Sequence, residues 1–279
     1  MTTNRTPRIT VGVADKQQSL LDYARVEAAS RRADIRLVHA YVVPPSSMGS
    51  LYGIDIPGAY RSAGEELLAE AAHYLAESGT SSPVHWVLTR GLAPSVLELE
   101  ARSADELVIG PDDAKPWLWR VLEGSVARRL LEHAECPVVV VPDSWDAHRS
   151  RGNVVLMLDS PASAHGPLQY AFAAAARRDV TLKVLHVAPH RPNRPQADEL
   201  ALFELVDSWF SSHAEVHGAY EVASGDVMTE TAVAELDAEL LVLGRPSQRL
   251  VWSFMMDTLV QQVVAHADCP VAVVPPRWH

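Results

Sequence analysis

Short apolar runs rich in Val, Leu and Ile alternate along this chain with longer segments whose apolar positions recur at helical spacing. The runs predict strands at Ile9–Val13, Ile35–Ala40, Val84–Leu88, Leu107–Ile109 and Val138–Val141. Helical period fills the gaps at Leu20–Arg32, Gly64–Ala76, Pro94–Arg102 and Ser125–His133. A second series of strands follows at Val154–Leu158, Thr181–Val187, Tyr220–Ala223, Leu240–Leu243 and Val271–Val274. Runs without polar alternation are buried on both faces, as the strands of parallel sheets are. Strand–helix alternation of this kind predicts right-handed crossovers and a doubly wound α/β fold, with five parallel strands in each half.

The second series is a copy of the first. "HAECPVVVVP" (His133–Pro142) returns as "HADCPVAVVP" (His266–Pro275). "ADELVIGP" (Ala104–Pro111) returns as "DAELLVLGRP" (Asp237–Pro246), and Tyr23–Ala40 matches Tyr170–Val187. Self-similarity over nearly the whole length means a duplicated domain. The expected organisation is a domain at 1–142, a polar linker at 143–152 and a second domain at 153–279. Proline at the start of each terminal strand ends the preceding helix and suits a first strand position. The halves differ after strand two, where the first carries the Gly/Ser/Pro-rich Tyr41–Tyr60 and the second the shorter Ala188–Asp198. The longer loop is open to two readings, a cover for a crevice or a tolerated insertion.

Charge narrows the partners. The net charge of −11 repels phosphate backbones and anionic lipid, which argues against nucleic acid and membrane surfaces. No apolar run approaches bilayer length, and "MTTNRTPR" has no apolar segment behind its charges, so the cytoplasm is the expected location. The two cysteines, Cys136 and Cys269, occupy equivalent places, a positional pattern rather than a disulfide framework. With His133 and His266 they form a recurring His/Cys pair, but helix-end His and strand-start Cys are ordinary packing residues, so no metal site is expected. His39 and His186 close strand two beside the expected crevice. "LEGSV" is not a hydrolase elbow, and no catalytic set emerges.

The ordered set "VGV" with Asp15, "LVHA", "ELVIG" and "GSVARRLLEHAECPVVVV", with its second-half counterparts, resembles the universal stress protein family in its tandem form. That resemblance implies adenine nucleotide alpha hydrolase-like sheets in strand order 3-2-1-4-5, pairing of the halves through their last strands, and a homodimer. It also implies ATP in the crevice at the strands' carboxyl ends, with Mg²⁺ accompanying it. The family motif is Gly, two residues, Gly, nine residues, Gly, then Ser or Thr. Glycines allow close backbone approach to phosphate, and amides at a helix start attract it.

Both copies depart from that pattern. In the first half Gly110 matches, Asp113 replaces the second glycine, and ten residues precede Gly124 and Ser125. In the second half Gly244 matches, Ser247 and Asp257 replace glycines, and Thr258 closes the motif. The first-strand acid that contacts the nucleoside falls on Asp159, and on Asp15 only with a gap after Ala14. Ala40 and Val187 stand where the family contacts the base through backbone. A carboxylate about 4 Å from phosphate at an effective dielectric near 20 costs roughly 4 kcal/mol, about three decades of affinity. Bridging Mg²⁺ reverses that sign. The loops between also carry Trp117, Trp119, Trp252 and Phe254, which either cover a crevice or form a partner patch. The expected function is a non-enzymatic stress-response regulator. A weak ATP hydrolase and a nucleotide-free interaction module are the rival readings.

Overall fold

The computed structural model describes residues 5–14, 17–43, 55–111, 126–148, 152–188, 196–224, 238–245, 263–264 and 267–278. The chain forms two compact units, Met1–Cys136 and Pro137–His279. The first contains β1 (Arg8–Gly12), α1 (Gln18–Arg31), β2 (Asp34–Tyr41), α2 (Ile56–Glu77), β3 (Val84–Arg90), α3 (Ala93–Ala101), β4 (Glu106–Ile109) and α4 (Val126–His133). Its strands are parallel, in the order β3-β2-β1-β4.

The second unit contains β5 (Val138–Val140), β6 (Asn153–Leu158), α5 (His165–Arg178), β7 (Thr181–Ala188), α6 (Gln196–Ser212), β8 (Gly218–Ser224), β9 (Ala238–Gly244) and β10 (Val271–Val274). Here the parallel order β8-β7-β6-β9-β10 is the expected 3-2-1-4-5 in full. The first repeat's last strand, β5, falls in this unit because it pairs antiparallel with β10, Val140 opposite Val271 and Val138 opposite Val273.

Burial explains why the central runs are strands. Val11 lies opposite Leu37 on one side and Val108 on the other, and all three are fully buried. Leu156 holds the same place between Val184 and Val242. Each strand thus buries both faces, which only an apolar, largely β-branched run does without cost. α2 begins at Ile56, well before the expected Gly64. Asp55 explains the early start: its Oδ1 accepts the Gly58 N–H at 2.9 Å, and Pro57 stands in the first turn.

α1 and α5 end alike, on residues in the left-handed region, Arg32 (φ 53) and Asp179 (φ 54). Just before each stands an arginine that ties the helix end to the sheet. Arg31 Nε donates to Glu27 Oε1 at 2.5 Å, and its Nη2 pairs with Glu106 at the start of β4. Glu27 and Glu106 are 1% and 0% exposed. Arg178 pairs instead with Glu239 at 3.2 Å. The first unit therefore holds two buried carboxylates on one guanidinium. Arg31→Met is expected to destabilise the chain by about 3–5 kcal/mol, because it strands buried charge. Arg178→Met is expected to cost less, because its Glu239 partner is partly exposed. Denaturant midpoints compare the two.

Cys136 and Cys269 are buried thiols outside any disulfide. Burial pushes the Cys136 thiol up to about 12, and the Glu106 carboxylate adds to the rise. The unfolded thiol ionises first, so stability falls as pH rises past the ordinary thiol value of 9.0. Iodoacetamide at about pH 8.5, where a free thiol reacts, is expected to spare Cys136 until the chain is denatured. Peptide mass spectrometry reads the outcome, and rapid labelling of the folded protein contradicts it.

Candidate functional site

In the first unit β1 lies between β2 and β4, and the chain's crossovers leave it in opposite directions. Open α/β sheets bind ligands at such a switch point, outside the carboxyl ends of the strands. A cavity of about 140 Å³ lies there. Its lining comes from the end of β1 (Gly12, Val13, Ala14), the end of β2 (Val38, His39, Ala40) and the end of β4 (Ile109, Gly110, Pro111). Gln17, Ala93, Leu97 and Val126 complete it. Gly12 forms a tight part of the wall. A Cβ there would stand 3.0 Å from Leu97 Cδ1 and 3.2 Å from Ile109 Cγ2.

His39 is locked in place. Its Nδ1 donates to the Val13 carbonyl at 2.7 Å, which carries the β1–β2 pairing one step beyond the strand. The second unit repeats this contact: His186 Nδ1 donates to the Leu158 carbonyl at 2.8 Å. The shared lock sets the register between the halves. Ala14 follows Val13 as Asp159 follows Leu158, so Ala14 holds the place of the second unit's acid.

The two sites then diverge. Residues 14–17 lead from the locked Val13 to α1, whereas the longer stretch 159–164 leads from the locked Leu158 to α5 and folds a 3-10 turn at Pro161–Ser163. Ser163 Oγ donates to Asp159 Oδ1 at 2.7 Å. A Cβ on Gly244 would stand 3.3 Å from Pro167 and 4.0 Å from the Ser163 carbonyl. The Gly166 N–H, at the start of α5, donates to the Pro276 carbonyl at 3.0 Å. In the second unit the chain itself thus meets the acid, the strand-four glycine and a helix-start amide.

Of the residues singled out in the sequence, the structure gathers Ala40 and Gly110 around the first cavity, and Asp159 and Gly244 around Ser163. Val187 lies in β7 beside His186. Asp15, Asp113, Gly124, Ser125, Ser247, Asp257 and Thr258, and the tryptophans at 117, 119 and 252, lie outside the described residues. Sequence reading passed over Gln17. No signal marks it: the apolar period begins the helix at Leu20, where Ser19 is an ordinary cap.

The sequence profile described as "Universal stress protein family" matches residues 6–142 and again 151–275. The chain belongs to the universal stress protein family. A universal stress protein of Mycobacterium tuberculosis is 25% identical to it over 285 residues, covering 95% of each chain. Another, from Mycolicibacterium smegmatis, is 28% identical over 190 residues, 64% of this chain and 65% of that one. The crystal structure of an Archaeoglobus fulgidus universal stress protein shares the fold, with a TM-score of 0.69 at 16% identity and 95% of both chains covered. Tandem universal stress domains thus account for both the internal repeat and the sheet order. Among the described residues no helix is long and apolar enough to cross a membrane.

The two histidine locks differ in burial, and so in what their loss costs. His186 is 3% exposed, whereas His39 is half-buried beside the cavity. His186→Leu leaves the Leu158 carbonyl buried without a donor, at an expected cost of about 1–3 kcal/mol. His39→Leu is expected to cost less, since the His39 side chain is only half-buried and lies on the cavity wall. Equal losses in denaturant unfolding contradict this distinction.

Proposed function

We propose that this universal stress protein is a non-enzymatic, cytoplasmic regulator that holds one adenine nucleotide per chain, in the crevice of its first unit. The observation that carries the reading is the cavity at the β1 switch point, lined by Ala40 and Gly110 together. Polar groups in its lining, the His39 ring and the uncharged Gln17 carboxamide, suit a nucleoside. Ala14 places no fixed charge where Asp159 stands in the second unit. The second site is the weaker candidate, because Ser163, Pro167 and Pro276 already engage its acid, its glycine and its helix start. The segment after Pro111 would carry the phosphates, with Mg²⁺ offsetting the Asp113 carboxylate.

Calorimetric titration of the full chain with Mg-ATP, paired with mass spectrometry of nucleotide released on denaturation, tests this. The expected result is one nucleotide per chain, recovered unhydrolysed. Two per chain would make the second crevice a site of equal standing. Accumulation of ADP would replace regulation with hydrolysis. No heat and no released nucleotide would leave a protein-interaction module.

A further inference from the structure

Gln17 stands at the N-cap of α1, yet its side chain caps no backbone amide. Its carboxamide turns instead onto Gly110, where an added Cβ would fall 2.4 Å from Nε2 and 2.5 Å from Oε1. Only glycine leaves room for it. Its Oε1 is buried and has no hydrogen-bond partner among the described residues. Buried acceptors in folded proteins nearly always have a donor, so one without a donor beside a cavity is a place for a ligand to supply it. The cavity runs from Ala40 and His39 at the end of β2, past β1, to Gly110 and Gln17 at the end of β4.

We infer that Gln17 is a specificity-determining residue of the first-unit crevice, its Oε1 accepting a hydrogen bond from a ribose hydroxyl of the bound nucleoside. The inference rests on the nucleotide reading of that crevice. A planar base lies at the β2 end, flanked by Val38, His39 and Ala40, and the sugar then reaches the β4 end, where Gln17 is the acceptor. The side chain contributes no charge, so it selects for a hydroxyl donor rather than for phosphate.

Adenosine, 2′-deoxyadenosine and 3′-deoxyadenosine, titrated calorimetrically into the wild-type chain, Gln17→Leu and Gln17→Glu, decide the matter. Wild type is expected to bind adenosine about threefold to tenfold more tightly than one of the deoxy forms, the effect of a single hydrogen bond. Gln17→Leu keeps the size and removes the acceptor, so it should erase that preference by weakening adenosine alone. Gln17→Glu keeps an acceptor and should retain it. If wild type binds all three equally, or if the preference survives in Gln17→Leu, the assignment of Gln17 is overturned while the crevice stands as a nucleotide site. If wild type binds Mg-ATP but none of the nucleosides, the assignment of Gln17 is overturned; if Mg-ATP gives no heat either, the nucleotide reading falls, and this inference with it.

Discussion

The hydrogen-bonded placement of β1 between β2 and β4 is the constraint on which the site depends. Ile9 and Val11 are fully buried and pair with Ile35 and Leu37 on one side and with Glu106 and Val108 on the other. Connections that depart in opposite directions leave a gap at the carboxyl ends of these strands, and the cavity is that gap. Its position follows from the order of strands rather than from any one side chain. Its contents follow from the few residues at and just past the strand ends.

Those residues are where the two halves part. Both units keep the histidine at the end of the second strand and aim its Nδ1 at the carbonyl after the first. Both end the first helix on a left-handed residue preceded by a sheet-binding arginine. Such features hold the fold. The loop after the first strand differs in length, and in the second unit the added residues form the turn that brings Ser163 to Asp159. After the duplication, divergence at a short loop gave the two sets of strand ends different surroundings.

Most of the fold was legible in the sequence because it rests on burial, which leaves a periodic trace. Val271–Val274 and Thr181–Val187 were readable as strands from apolar content alone. The early start of α2 was not, since it depends on Asp55 and Pro57, a local cap inside a stretch that reads as loop. The site was legible only in outline. Ala40 and Gly110 were readable from their place in the repeat, but the gap between Val13 and Tyr23 could not be placed without the His39–Val13 register. Gln17 left no periodic or motif signal. Its position is a matter of side-chain direction and of the missing Cβ on Gly110, and neither is written in the order of residues.

Mapping amide chemical shifts of the labelled full chain during a titration with adenosine tests the central claim most directly. A nucleoside held in the first unit gives perturbations confined to that unit, around Gly12–Ala14, His39–Ala40 and Gly110, with Gly166, His186 and Gly244 unmoved. Perturbations centred on Asp159, His186 and Gly244, or none in either unit, would contradict it.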